Sequence, residues 1–236
     1  MKLHLFCAAL LAVDTCMHAA EWDICVDLQM VAVPMAQALP LVPQLTRAET
    51  FPAAAAQLQR LLETGEAELI GWPLVQSKND DTARTAAIDE VRYPTDYLPP
   101  MLPSGIGNGL VRPTFYYAIN PPQRYITPTA FETRNTGPTL EARAAASTDG
   151  KSLDLEITPQ LVLLEVATHT IGTRDEYPGD AYQQQPQFTC LRTMARFTLP
   201  NGGRCLIGTF VLPEPQPRVL LFLVHAIATP APSAAP

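Results

Sequence analysis

The residues that could carry acid–base chemistry are few. Outside the first twenty residues the histidines are His169 and His225. His225 lies in an apolar run, where a packed histidine or one that faces a pore is more common than a catalytic one. His169 stands between two threonines with no carboxylate or nucleophile close by in sequence. The chain also has no phosphate-binding loop, no HExxH and no GxSxG motif, so the sequence indicates no catalytic residue and no cofactor.

The carboxylate pairs and the cysteines do not have the spacing of a metal site. Asp80-Asp81 and Asp175-Glu176 lie in polar segments typical of solvated turns, and a calcium site is the less favoured alternative. Removal of a leader would leave Cys25, Cys190 and Cys205, with no CxxC and no cysteine–histidine spacing suited to zinc. We therefore predict no metal site. The odd number of cysteines leaves at least one thiol unpaired unless two chains are cross-linked.

Composition excludes several classes of protein. The chain has 236 residues, of which 47% are apolar, enough for one ordinary domain with a buried core. Its 24 prolines and 12 glycines argue against collagen and against a helical bundle. A net charge of −7 argues against nucleic acid as a partner, because neutralising phosphates needs a basic face.

Residues 1–20 have the pattern of a secretory signal peptide. Lys2 supplies the positive charge, residues 3–13 form the apolar segment, and Ala19-Ala20 offers a small-residue cleavage site. A short buried helix is the alternative. No later run reaches the roughly 18 apolar residues of a membrane helix. The expected division is a signal peptide at 1–20, one domain at 21–229 and a disordered tail at 230–236.

The pattern of the domain is mainly β, with antiparallel hairpins and one N-terminal helix (an α+β class). Period-two alternation predicts a strand at 21–33, and alanine and leucine with Pro52 in the first turn predict the helix at 51–64. Two further strands are expected at 69–75 and 82–93. A Pro/Gly-rich excursion at 98–129 is predicted to be a long loop, which is commonly a functional feature.

Two turn signals organise the second half. Asp149-Gly150 predicts a tight hairpin that pairs Ala142 with Ile157 and Arg143 with Glu156, since a slip by one residue would misalign both faces. Asn201-Gly202 predicts a second hairpin between 188–199 and 204–212. In its register Phe197 lies opposite Leu206 and Cys205 opposite Thr198, while Cys190 lies opposite Pro213. A polar loop at 172–187 and a last strand at 218–229 complete the prediction.

The order of these elements resembles the secretin homology domain, the oligomeric barrel domain of type II and type III secretion channels and pilus pores. Trp72-Pro73-Leu74-Val75 with Tyr93-Pro94 resembles the family's opening hairpin. Residues 131–164, 188–210 and 219–227 are similar to its later hairpins and closing strand. The positions that match the family's structural motifs are Pro73, Tyr93, Gly137, Asp149, Gly150, Pro159, Asn201, Gly202 and Gly208.

The resemblance implies a non-enzymatic, exported protein of the periplasm or outer membrane that forms a homo-oligomer or an envelope complex. The segment that forms the outer-membrane lip in secretins is here reduced to residues 210–217, and the family's preceding ring domains have no counterpart, so outer-membrane association is the less favoured expectation. The alternative is a monomeric secreted or periplasmic binding module that uses the loop 98–129. A hydrolase with an unrecognised site is the third hypothesis.

Overall fold

A computed structural model of the chain describes residues 22–98, 127–171, 181–212 and 216–231, with the backbone alone for 166–171 and 181–185. These residues form two helices, α1 (Met35–Leu45) and α2 (Phe51–Glu63), and eleven strands. The strands are β1 (Trp22–Pro34), β2 (Glu68–Gly71), β3 (Leu74–Lys78), β4 (Thr82–Ala86), β5 (Asp89–Leu98), β6 (Thr127–Ala146), β7 (Ser152–Ile171), β8 (Ala181–Arg192), β9 (Ala195–Pro200), β10 (Arg204–Val211) and β11 (Arg218–Pro230). The prediction of a mainly β, antiparallel chain is confirmed.

The first sheet joins the two ends of the domain. Its order is β10-β11-β1-β2, and β3 also pairs with β1. The predicted first and last strands, β1 and β11, pair along their whole length, from Trp22 opposite Pro230 to Pro34 opposite Arg218. The chain therefore closes on itself through main-chain hydrogen bonds between residues about two hundred positions apart.

The second sheet has the order β4-β6-β7-β8, with β5 paired to β6 and β9 to β7. The hairpin at Asp149-Gly150 has the predicted register, since Ala142 pairs with Ile157 and Arg143 with Glu156. Ser147 continues the turn by accepting a hydrogen bond from the Ser152 amide at 3.1 Å. The match of apolar faces was sufficient to set this register.

The two sheets pack face to face. Period-two alternation sends every second side chain of β1, β6 and β7 into the space between them, where Leu28, Leu140 and Leu155 are almost fully buried. Phe222 of β11 is also fully buried there and contacts Phe210, with ring centroids 5.1 Å apart. This apolar layer is the main core of the domain.

The helices cover part of the opposite face of the first sheet, where Val31, Leu221 and Leu45 form a second core. β1 and β11 are therefore buried on both faces at that end, which explains their nearly continuous apolar sequence. The predicted helix is confirmed as α2, but the prediction of one helix was wrong. The prolines at 40 and 43 obscured α1, which forms because Ala38, Leu41 and Leu45 are buried along one face.

The predicted hairpin at Asn201-Gly202 was also wrong. Phe197 lies opposite Leu155 of β7, and Cys205 lies opposite Val224 of β11. The turn therefore crosses from the second sheet to the first instead of pairing its two flanking strands. A tight turn fixes only the reversal of the chain, and here each strand finds a longer apolar partner elsewhere.

Two predicted loops are shorter than expected. Residues 181–187 belong to β8, residue 98 to β5 and residues 127–129 to β6. Residues 99–126 and 172–180 of the predicted loops, the predicted leader at 1–20 and residues 232–236 of the predicted tail lie outside the described residues. The carboxylate pair Asp175-Glu176 falls in the same undescribed part.

Candidate assembly interface

Within the part of the chain that the structure describes, the second sheet has two edges without a partner strand, which we call its open edges. β4 and β5 form one edge, and β8 and β9 form the other. Among the described residues, no further strand pairs with the outer side of either edge. Each edge therefore presents backbone N–H and C=O groups that can pair with another chain.

Beyond Gly137 the second sheet divides into two ribbons. β6 pairs with β7 over 137–146, but over 127–136 its partner is β5. β7 pairs with β8 over 160–171. We call these the β5–β6 ribbon and the β7–β8 ribbon. A two-stranded ribbon is marginally stable alone in water, so both ribbons need a neighbour.

The two ribbons meet at an aromatic contact near their base. The Tyr93 ring lies 5.2 Å from the Phe188 ring, and the Arg134 guanidinium lies 4.8 Å from the centroid of the same ring. The Tyr93 hydroxyl donates a hydrogen bond of 3.2 Å to Glu132. Desolvation of the hydroxyl, followed by the Glu132 carboxylate, raises the pKa of Tyr93. Tyr93, one of the predicted motif residues, thus holds the ribbons together.

The outer face of the second sheet is polar and charge-matched. Arg143 lies opposite Glu156, which lies opposite Arg196 on β9. Arg143 also forms a salt bridge of 2.9 Å with Asp80, so this aspartate of the Asp80-Asp81 pair has a cationic partner. The sheet therefore has one apolar face toward the core and one hydrated face.

Four of the predicted motif residues, Asp149, Gly150, Asn201 and Gly202, lie at the junction between the sheets. The Asn201 side chain donates to the carbonyl oxygens of Gly150 and Ala228, each at 2.9 Å, and accepts from the Ala228 amide at 2.8 Å. The Gly202 amide donates to the Ala226 carbonyl at 2.9 Å. The Asp149 carboxylate accepts from the Ser147 hydroxyl at 2.7 Å, and this bond, with the Lys151 amide, lowers the pKa of Asp149.

The other motif residues are dispersed. Pro73 lies between β2 and β3, and its carbonyl accepts the Leu28 amide at 3.0 Å. Pro159 lies in β7 opposite Leu140, and Gly208 lies at an irregularity of β10 opposite Phe222. Gly137 marks the division of the sheet. The motif residues therefore do not form one pocket; they lie at turns, at strand irregularities and, for Tyr93 and Pro159, within strands.

A polar cluster on the first sheet was missed by the sequence reasoning. Asp27, only 9% exposed, accepts the Trp72 indole N–H at 3.0 Å and lies 2.8 Å from His225 Nδ1. The available signal was that Asp27 and His225 each lie within a strand whose other residues are mostly apolar. The last-strand histidine was predicted to be packed or to face a pore, and the structure gives it a carboxylate partner across the sheet.

The three cysteines of the domain are free thiols in different environments. Cys190 is exposed on β8. Burial raises the pKa of Cys205 to about 11 from its ordinary 9.0. Burial, followed by the nearby Asp27 carboxylate, also raises the pKa of Cys25.

We expect iodoacetamide at pH 8 to alkylate Cys190 of a 21–236 chain first. Cys205 should react ~100-fold more slowly than an ordinary thiol, because a pKa two units higher lowers the thiolate fraction by about that factor. Mass spectrometry of quenched time points measures the order. A Cys190→Ser variant should lose the fast phase, and in strong denaturant all remaining thiols should react alike. A Cys205 rate equal to that of Cys190 would contradict the prediction.

The described residues contain no group of three or more His, Cys, Asp and Glu side chains placed to hold a metal ion. None of the helices described is both long and apolar enough to cross a membrane.

No family model and no curated protein sequence matches this chain. The search of solved structures found secretins. The type II secretion system secretin GspD of Escherichia coli K12 is similar over 89% of this chain and 48% of its own, with a TM-score of 0.37 and 10% identity. The Salmonella SPI-1 type III secretion injectisome secretin InvG is similar over 92% and 65%, with a TM-score of 0.35 and 12% identity.

The ETEC pilotin–secretin AspS–GspD complex gives a TM-score of 0.39 at 10% identity, over 90% of this chain and 50% of that chain. This chain thus spans about half to two thirds of the secretin chains that it matches. The proteins found are of the family that the sequence motifs resemble.

Proposed function

We propose that this chain is a non-enzymatic cell-envelope protein whose secretin-like domain assembles with copies of itself into a ring, as a component related to secretion or pilus channels. The observation that supports the proposal is the pair of open edges on the second sheet, with two ribbons that extend from it. Ring closure pairs the edges of neighbouring copies and so satisfies their backbone groups.

The strand directions suit such a closure. β4, β6, β7 and β8 form an antiparallel path of four strands. An even number of strands leaves the two edges running in opposite directions. When the β8 edge of one copy meets the β4–β5 edge of the next, the new pair is antiparallel too. This contact is head-to-tail, and head-to-tail contacts generate rings when the rotation closes.

The two faces of the sheet suit a ring wall. The row of Arg143, Glu156 and Arg196 is hydrated, while the opposite face is packed against the first sheet. The proposal includes export through a signal peptide at residues 1–20 and a location in the periplasm or at the outer membrane. It includes no catalytic residue, no metal or cofactor and no nucleic-acid partner.

We expect a cysteine pair across the proposed contact to cross-link the ring into a ladder of covalent oligomers. The strand register gives the level of Cys190 along the sheet. Cys190 of β8 pairs with Val162 of β7, and Val162 pairs with Gly137 of β6. The neighbouring residue Thr136 pairs with Asp89 of β5. At this height of the sheet a neighbour's β4–β5 edge presents Ala86 to Glu90. The variants Arg84→Cys, Ala86→Cys and Glu90→Cys each add one thiol along that edge, and oxidation is read on non-reducing gels.

At least one of these variants should give species larger than a dimer, because each copy then carries one thiol at either edge. The ladder should vanish when Cys190→Ser is added. Glu49→Cys, an exposed position outside both sheets, is the matched control. Two results together would overturn self-assembly and favour the monomeric binding module. One is the absence of a ladder at any of the three positions. The other is a strictly monomeric 21–236 chain in light scattering between about 1 and about 100 μM.

A further inference from the structure

An open groove of about 680 Å³ lies beside the first sheet, between the end of α2 and β2. Its lining includes Gln29, Gln59, Leu62, Glu66, Trp72 and Arg218. The volume lies within the range of ligand sites in proteins. The groove is on a different sheet from the ribbons and edges described above, so its chemistry does not depend on the proposed assembly.

Trp72 is both exposed and held in place. The residue lies in the gap between β2 and β3, at the edge of the first sheet, and is 57% exposed. The indole N–H is fixed by its 3.0 Å hydrogen bond to the buried Asp27, whose second oxygen is bonded to His225. A rigid, exposed aromatic surface that is already oriented loses little conformational entropy when a ligand binds.

The charges around the groove are mostly negative. Glu68 and Arg218 also border it and form a salt bridge of 2.6 Å, so they largely cancel. Among the described residues, Glu66 accepts its hydrogen bonds from two neutral groups, the Gln37 amide and the Thr64 hydroxyl. Its charge is therefore not balanced by these partners. Asp27 adds a carboxylate at the edge of the indole.

These features favour a positively charged ligand. The face of an indole attracts cations more strongly than any other aromatic side chain. A hydrogen bond from the indole N–H to a carboxylate increases the electron density of the ring and so strengthens this attraction. Glu66 in the same groove adds a longer-range Coulombic attraction.

We propose that this groove binds an organic cation, a guanidinium or alkylammonium group, with Trp72 as the platform and Glu66 as the charged wall. The cation can belong to a free small amine or to an arginine or lysine of an extended polypeptide. Both sources share the same chemistry, and the size of the groove accommodates either one.

The test is a ligand-observed NMR titration of the 21–236 chain with Nα-acetylarginine amide. We expect saturable binding that weakens with salt. Trp72→Leu should raise Kd by ~5- to 30-fold, the equivalent of the 1–2 kcal/mol of a partly desolvated cation–π contact. Trp72→Phe should lose less, because it keeps an aromatic face. Glu66→Gln should weaken binding and flatten its salt dependence, whereas Glu49→Gln, the same charge change outside the groove, should leave Kd within about twofold.

Two further ligands separate the outcomes. Nα-acetylcitrulline amide has nearly the shape of the arginine probe without its charge, and equal affinity for it would overturn the proposal. The second ligand is a five-residue Gly-Ser peptide with one central arginine. If it binds at least about tenfold more tightly than the amino-acid probe, the source of the cation is a polypeptide, since additional backbone contacts then contribute. Equal affinities identify a free small cation. Unchanged Kd in Trp72→Leu, with the fold verified by circular dichroism, also overturns the proposal.

Discussion

Replacing Gly137 by alanine is expected to lower the free energy of unfolding by about 3 kcal/mol or more. Gly137 has φ +107°, which alanine rarely adopts, and a Cβ there would lie 2.2 Å from the Ala87 carbonyl oxygen. The backbone is held in place on both sides of this contact, because the Ala87 amide donates to the carbonyl of Pro138, the residue after Gly137, at 3.0 Å. Urea unfolding followed by circular dichroism measures the loss.

Gly65→Ala is the matched control for this experiment. Gly65 also has a positive φ, +74°, but nothing lies within 4 Å of its Cβ position. Its cost should therefore be limited to the backbone preference, about 1 kcal/mol. Equal losses in the two variants would show that the close approach to Ala87 does not matter. Since the sheet divides at Gly137, a variant that still folds should also show weaker assembly in the cross-linking experiment.

Replacing Asn201 by alanine is expected to cost about 2–4 kcal/mol. The substitution removes three side-chain hydrogen bonds and leaves the backbone groups of Gly150 and Ala228 without those partners in a half-buried junction. Asn201→Asp keeps the acceptor for the Ala228 amide but loses both donors and places a charge against two carbonyl oxygens. It should therefore be no more stable than the alanine variant.

The matched control is Asn79→Ala. The Asn79 side chain accepts one hydrogen bond, from the Ala146 amide at 2.7 Å, at an exposed position. Its loss should be about 0.5–1.5 kcal/mol, because water can replace the missing acceptor. If Asn201→Ala lowered the free energy of unfolding in urea by no more than Asn79→Ala does, the Asn201 side chain would not stabilise the junction between the two sheets.

These two positions show how the fold builds its open edges. Asn201 joins the hairpin turn at Gly150 to the end of β11, and so fixes the second sheet onto the first. Gly137 lies where β6 exchanges β7 for β5 as its partner. Asn201 holds in place the part of the second sheet that packs on the first sheet. Gly137 marks the start of the two ribbons that extend beyond that part.

Local pattern was enough to predict the parts of the fold in which sequence neighbours pair. The Asp149-Gly150 hairpin is the clearest case, because a two-residue turn and two alternating strands leave one register that buries both apolar faces. The same holds for α2, whose Pro52 and alanine-rich sequence act within a few residues.

Pattern failed where the partner of a segment is distant. β9 and β10 flank a good turn, but each pairs with a strand that the turn does not specify. The prolines of α1 disfavour a helix locally, and burial against the sheet outweighs them. In the Asp27 cluster the pairing of Asp27 with His225 depends on the register of the first and last strands, which lies beyond any local signal.

The sequence by itself determined a mainly antiparallel β domain, its principal hairpin, one of its helices and a resemblance to secretins. These follow from period-two alternation and turn chemistry, which act over a few residues. Only the tertiary structure decided which strands share a sheet, which described strands form the edges of the second sheet and which polar side chains meet. Those depend on contacts between residues far apart in the chain, because an apolar strand face can be buried equally well by several partners until the whole core is assembled.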